Sequence, residues 1–250
     1  MRIILVAGAT GNTGRPLVEQ LLAMGHAVRV IVRSRDRLPA SVLQHPNITV
    51  IEASILDLSD QQMSEFVKGC DAVVSCLGHI ISFKGVFGAP RKLCTDAARR
   101  LCAAIETNRP NSPAKFILMN TVGVSNPSLT ERRGFLERVV LTLLSWFIPP
   151  TKDNETAAQH LHETVGTQSE YLEWCSVRPD SLINAEVSLY DVTESPVTAL
   201  FSGRPTTRSN VAHFMVQLIE DEALWDTWRF KMPVIMNAQG KSSGAALSLD

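Results

Sequence analysis

Arg2-Ile3-Ile4-Leu5-Val6-Ala7-Gly8-Ala9-Thr10-Gly11-Asn12-Thr13-Gly14 is the stretch that decides the fold. Its first half is a short apolar run closed by glycine, which predicts a strand buried on both faces. Its second half is a GxxGxxG turn. From Pro16 to Met24 the apolar residues Leu17, Val18, Leu21 and Leu22 fall on one helical face, and Gly25 supplies the stop. A strand, a glycine turn and a helix in that order form a dinucleotide-binding unit. Gly8 allows the tight turn out of the strand. Gly11 lets bare backbone approach a pyrophosphate, and Gly14 lets the helix pack close to the sheet. The helix N-terminus offers unpaired N–H groups and a partial positive charge to phosphate, with Thr10, Asn12 and Thr13 adding short polar side chains. The competing explanation is a glycine turn kept for packing alone.

Moving outward, residues 27–32 (Ala-Val-Arg-Val-Ile-Val) predict the second strand. It ends in Val32-Arg33-Ser34-Arg35, where an NAD-preferring site carries Asp or Glu for the ribose 2′-OH. A guanidinium there binds a 2′-phosphate, which a carboxylate would repel. Arg33, with Ser34 and with Arg35 or Arg37 nearby, therefore points to NADP(H) as the preferred cofactor, with NAD(H) the other candidate. The alternative is a solvated basic loop.

The alternation continues. Strands are expected at Ile48–Ile51, Asp71–Leu77, Lys115–Met119, Leu172–Val177 and 230–236, and helices at Gln61–Lys68 and Arg91–Thr107. Strands alternating with helices imply right-handed crossovers and a doubly wound parallel α/β sheet of the Rossmann type. Ligands bind at the carboxyl ends of such strands. That places Asp57 and Leu58 at the adenine edge and Cys76, Leu77 and Gly78 beside the phosphates and nicotinamide ribose. Residues 1–238 read as one domain in which 184–210 contributes a small substrate lobe, and 239–250 reads as a disordered tail. The run 135–147 is apolar nearly all round. It reads as a core or lid helix, or as a dimer or membrane-surface contact, and is too short to span a bilayer.

Bulk composition narrows the function classes. A chain of 250 residues can bury ~70–75% of its unfolded surface and needs no staple. The net charge of −1 gives no basis for nucleic acid as a partner. The five cysteines form no CxxC pair, so no metal site is expected, and a reducing, cytoplasmic setting is. No signal peptide or transmembrane segment is expected. The partner is then a small molecule, and the protein a monomer or homodimer.

These residues together resemble the atypical short-chain dehydrogenases/reductases, especially the NmrA-like branch and its biliverdin-reductase-B-like relatives. The matching pieces are residues 8–14, Asp57-Leu58, the stretch 71–78, Asn120-Thr121-Val122-Gly123-Val124, Trp174 to Pro179, and Ser209-Asn210-Val211-Ala212. They run over roughly residues 1–237. The resemblance implies seven parallel strands in the order 3-2-1-4-5-6-7, NADP(H) binding, and Asn120 and Pro179 at the cofactor.

Short-chain dehydrogenases usually carry Tyr-x-x-x-Lys, in which tyrosine exchanges a proton with substrate. Here Cys175 stands four residues after Tyr171, and Glu194 four after Tyr190. The nearest echo is Ile148-Pro149-Pro150-Thr151-Lys152, or the Asp153-Asn154-Glu155 opening that follows it. Candidate catalytic residues are Thr121, at the end of the fifth strand, together with Lys152 and His160. Thr121 as a plain turn residue and His160 as a packing residue are the alternatives. Arg178 is a structural ion-pair residue or a substrate ligand. Trp146, Phe147, Phe201, Phe214 and Met215 line an acceptor or belong to the core. A reductase of a small conjugated, quinone-like or flavin-like acceptor needs little protein acid. The alternatives are a non-catalytic NADP(H) sensor and, behind both, an epimerase-type enzyme.

Overall fold

A computed structural model describes residues 1–79, 90–129, 131, 149–197 and 204–239. The expected helix over 135–147, Phe201 and, but for Gln239, the tail lie outside them.

β1 (Ile3–Ala7), β2 (Ala27–Val32), β3 (Ile48–Glu52), β4 (Ala72–Ser75), β5 (Ala114–Met119) and β6 (Leu172–Pro179) pair in parallel in the order β3-β2-β1-β4-β5-β6. β10 (Val234–Asn237) lies parallel to β6, with Val234 opposite Arg178, and completes the expected seven-strand order. It starts later than sequence suggested, because Phe230 takes φ 61 and Lys231 N–H still closes on the Trp228 carbonyl. An unforeseen eighth strand, β8 (Tyr190–Thr193), runs antiparallel to β10 at the sheet edge. β7 (Leu182–Ile183) and β9 (Thr206–Thr207) form a separate pair. Part of the 184–210 segment thus extends the main sheet.

Helices cover both faces, which is why the strand interiors are continuously apolar. α1 (Gly14–Ala23) starts the chain's helices, and the short α2 (Ala40–Leu43) follows β2. α3 (Asp60–Val67), α4 (Leu93–Asn108) and α5 (Pro149–Gln159) pack over Leu5, Val73, Phe116 and Trp174. α1, α6 (Arg208–Glu220) and α7 (Glu222–Trp228) cover Ile4, Val6, Val74 and Ile117. Phe214 and Met215 lie on α6 and are wholly buried in this layer, so they are core residues. Among the described residues no helix is long and apolar enough to cross a membrane.

Local signals explain the helix starts. Ser59 and Gln62 form a reciprocal capping box on α3. Thr207 caps α6 and Asp221 caps α7, the latter accepting the Leu224 N–H at 3.0 Å. Removing the Asp221 side chain with Asp221→Ala is expected to cost about 1 kcal/mol. A thermal melt should register that loss while cofactor affinity stays as in the parent.

Buried charges tie the layers together. Lys115 on β5 donates to the carbonyls of Leu218 and Ile219 at 3.1 and 3.0 Å and to Glu222 at 3.0 Å, capping the negative end of α6. Arg178, the penultimate residue of β6, is fully buried. It donates to the carbonyls of Met232, Val124 and Glu194 and pairs with Glu131 at 2.5 Å. Arg178 is therefore structural: it clamps the loops that follow β5 and β8.

Candidate functional site

The sheet order reverses direction between β1 and β4. The loops leaving those two strands on opposite sides open a crevice at their carboxyl ends. One wall is the Gly8–Gly14 turn and the other is the Cys76–His79 loop. Gly8 has φ 85, and a Cβ on it would lie 2.6 Å from the Cys76 carbonyl oxygen. The two loops are thus in contact through backbone. A Cβ on Gly14 would lie 2.2 Å from the Gly8 carbonyl oxygen, so α1 sits hard against the turn. Gly11 donates its N–H to the Gly8 carbonyl at 2.9 Å and closes the turn.

The start of α1 is built differently from those of α3, α6 and α7. Its N-cap residue, Thr13, makes no side-chain hydrogen bond to the helix. Orphan N–H groups at a helix start bind anions when no side chain takes them. Thr13 is buried, Thr10 half-buried, and Asn12 exposed at the turn. This cradle fits a dinucleotide pyrophosphate.

At the end of β2, Arg33 is exposed and Ser34 half-buried. Arg35 to Arg37 form one turn of 3-10 helix. Arg33, Arg35 and Arg37 have no ion pair among the described residues. Two carboxylates stand beside them: Asp36 is exposed between Arg35 and Arg37 in that turn, and Glu52, at the end of β3, accepts the Arg35 backbone N–H at 3.3 Å.

Asp57 is exposed in the loop after β3, whereas the Leu58 side chain is buried in the core. Arg100 on α4 holds that loop by donating to the carbonyls of Ile55, at 2.7 Å, and Leu58. Cys76 is buried with its sulfur 3.9 Å from Met215, so only its backbone borders the crevice. Leu77 is half-buried and Gly78 exposed. Pro179 is buried, and its carbonyl accepts the Val122 N–H at 3.0 Å.

At the end of β5, the Asn120 amide donates to the Asn154 carbonyl at 3.1 Å and its oxygen accepts the Thr121 N–H at 2.9 Å. Asn120 thereby fixes α5 against the strand end, with Thr121 half-buried beside it. The other two catalytic candidates lie on and just after α5. Lys152 is exposed and pairs with Glu155 at 3.3 Å. His160 lies nearly two turns beyond Asp153. Burial there lowers its pKa, and the charge of Arg99 lowers it further. Neither tyrosine replaces them. Tyr171 precedes β6 at the opposite end of the sheet, and the Tyr190 hydroxyl is held by His213 Nδ1 at 2.9 Å.

Sequence reasoning missed a cluster between α4, α5 and the β4 loop. The buried Asp153 carboxylate accepts the backbone N–H groups of Cys94 (2.8 Å) and Thr95 (3.0 Å) and the Thr95 hydroxyl (2.6 Å). His79 Nε2 lies 2.8 Å from its other face. Burial alone would raise the Asp153 pKa. The hydrogen bonds from Thr95, His79 and the helix backbone outweigh it and hold the carboxyl below its usual range. His79, Cys94 and Asp153 each bring one ligand-type atom within 4.8 Å of the others. They do not form a prepared cation site: the carboxylate is spent on the positive end of α4, and burial pushes the Cys94 thiol up and keeps it protonated. Only the tripeptide Asp153-Asn154-Glu155, read as the place of the missing Tyr-x-x-x-Lys, hinted at this cluster.

A separate cleft lies elsewhere. It has a volume of about 780 Å³ and opens at the amino ends of the strands, over Arg2, Lys115, Glu222 and Trp225. Those charges already pair with one another.

A parallel sheet with a glycine turn, an uncapped first helix and a crevice at the switch in strand order defines a Rossmann dinucleotide-binding protein. A family model described as NAD(P)H-binding matches residues 8–222. The chain belongs to that NAD(P)H-binding family, in keeping with its resemblance to atypical short-chain dehydrogenases/reductases. An uncharacterised chloroplast protein of Arabidopsis thaliana is 28% identical over 126 residues, which is 50% of this chain and 43% of that protein. A sterol-4-alpha-carboxylate 3-dehydrogenase (decarboxylating) of Dictyostelium discoideum is 25% identical over 124 residues, or 37% of its length. The match thus spans less than half of either curated relative. Among solved structures, a short-chain dehydrogenase/reductase of Veillonella parvula in complex with NADP superimposes with a TM-score of 0.69 at 17% identity, covering 96% of this chain and 95% of that one. A candidate NADH-flavin reductase of Streptococcus pneumoniae gives 0.64 at 17% identity, covering 95% and 100%. At such identities the superpositions establish the fold.

Proposed function

We propose that this protein is an NADPH-dependent reductase of a small conjugated acceptor, quinone-like or flavin-like, that works without a tyrosine–lysine pair. The observation that carries the cofactor choice is the end of β2. Arg33, Arg35 and Arg37, without ion pairs among the described residues, follow the strand end that an adenosine ribose would approach; of the two carboxylates beside them, Glu52 is engaged by the Arg35 N–H and Asp36 is exposed. Arg33 and Ser34 take the 2′-phosphate. Gly8 to Gly14 take the pyrophosphate, Asp57 and Leu58 border the adenine, and Leu77, Gly78, Asn120 and Pro179 border the nicotinamide half. The acceptor enters beside Thr121, with the 184–210 segment of the single 1–238 unit as the outer wall. A bound nicotinamide supplies the hydride, which suits a site whose described residues bring no tyrosine to Thr121.

The test of cofactor choice is Arg33→Asp, assayed by calorimetry with both reduced cofactors. NADPH affinity should fall by roughly 10-fold or more, the scale of one charge-assisted hydrogen-bonded contact, while NADH affinity changes little. Equal losses for both would remove Arg33 from the 2′-phosphate site. Turnover is followed at the nicotinamide band with a panel of quinones, flavins and conjugated carbonyls. Tight binding with no turnover would mark the protein as a redox sensor instead.

A further inference from the structure

We propose that Asn210 is a positioning residue for acceptor binding: its side-chain amide latches residues 188–190 over the carboxyl edge of the sheet. The proposal rests on the reductase reading, in which the 184–210 segment walls the acceptor site.

Three observations carry it. The first is geometry. Asn210, on the first turn of α6, is fully buried. Its side-chain oxygen accepts the Ser188 backbone N–H at 2.8 Å. Its amide nitrogen donates to the Ser188 hydroxyl at 3.1 Å and to the Asn237 side-chain oxygen at 2.8 Å. One turn further along α6, His213 Nδ1 lies 2.9 Å from the Tyr190 hydroxyl. The second is need. Residues 183–186, Ser188 and Leu189 are exposed, so little apolar burial holds this stretch in place. The third is position. Asn237 ends β10 at the carboxyl edge, and its side-chain oxygen also accepts the Thr207 N–H at 3.0 Å. Val122, the neighbour of Thr121, clusters with Val234 and Met236 of that same strand. The latch is therefore built on the strand against which the Thr121 loop packs.

Hydrogen-bond polarity makes an amide the required group. Both ends of the network are set by backbone N–H groups, which can only donate. The Ser188 N–H needs an acceptor from residue 210. The Thr207 N–H fixes the Asn237 oxygen in place, so residue 210 must meet that oxygen with a donor. A carboxamide carries an acceptor and a donor on one planar group, whereas an ionised carboxylate has no donor. In Asn210→Asp a buried carboxylate would face the Asn237 oxygen, and one end of the latch would be repelled. Asn210 is 0% exposed, so it acts on the acceptor through the wall it holds and not by contact.

The experiment uses the full chain, with menadione and a conjugated enone as acceptors. In Asn210→Asp, KM for the acceptor should rise by ~10-fold or more, while kcat changes less and the NADPH dissociation constant stays at the parent value. Hydrogen exchange followed by NMR gives a readout apart from activity. The Ser188 N–H should be protected in the parent, although the residue is exposed, and should exchange much faster in Asn210→Asp. In the parent it should slow further when NADP+ and menadione are both bound. A Ser188 N–H that is unprotected in the parent, or that does not respond to menadione, overturns the proposal even if Asn210→Asp does not fold. An unchanged acceptor KM in a folded Asn210→Asp overturns it and leaves the reductase reading standing. A parent that binds NADPH but reduces no acceptor overturns both.

Discussion

Gly14→Ala should raise the dissociation constant for NADPH by roughly 100-fold, the order of loss that a misplacement of about 1 Å produces at a positioned site. The added methyl would lie 2.2 Å from the Gly8 carbonyl oxygen, 2.8 Å from its carbon and 3.1 Å from the Ala9 Cα. All three are backbone atoms, so no side chain can swing away. α1 must retreat from the turn, and its N-terminus, which no side chain caps, retreats with it. Forced overpacking of this kind typically costs about 1–3 kcal/mol of stability. Asp221→Ala is the control: it loses a similar amount at the far end of the sheet, yet its cofactor binding should match the parent. Calorimetry on the two variants separates the explanations. If Gly14→Ala binds NADPH as well as Asp221→Ala does, the turn does not hold the pyrophosphate.

The second large effect is on stability. Arg178→Met should destabilise the fold by about 3–5 kcal/mol, the usual result of breaking a buried pair by removing one partner. Methionine fills part of the volume and replaces none of the donors. Glu131, 4% exposed at its side chain, would be left as a buried carboxylate, and the carbonyls of Val124, Met232 and Glu194 would lose their partner. Denaturant unfolding measures the loss. Replacing both charges, with Arg178→Met and Glu131→Gln together, should cost less than Arg178→Met alone, because the stranded charge is gone. A double variant as unstable as the two single changes summed would mean that the carbonyl contacts, and not the ion pair, carry the clamp.

Much of the architecture was legible because its signals are local. The apolar runs 2–7 and 27–32, the spacing of Leu17, Val18, Leu21 and Leu22, and the glycine triplet each report on neighbours a few residues away. Such signals survive without any knowledge of what the chain packs against. The edge strand β8 was not legible. Tyr190–Thr193 is short, and its antiparallel pairing with Met236 and Asn237 is a long-range choice. Arg178 could be read as a clamp or as a ligand until its described partners, drawn from three separate loops, were placed around it.

The sequence by itself determined a doubly wound parallel sheet, a first turn shaped for a diphosphate and a cationic end to the second strand. Only the tertiary structure decided how the polar groups share the crevice. It paired Lys152 with Glu155 and set His160 near the charge of Arg99, turned the Leu58 and Cys76 side chains into the core, and joined His79 to Asp153 across 74 residues of chain. The physical reason is range. Backbone preference and hydrophobic period act over one or two turns, whereas a hydrogen-bonded pair from two different crossovers exists only once the sheet has brought their ends together.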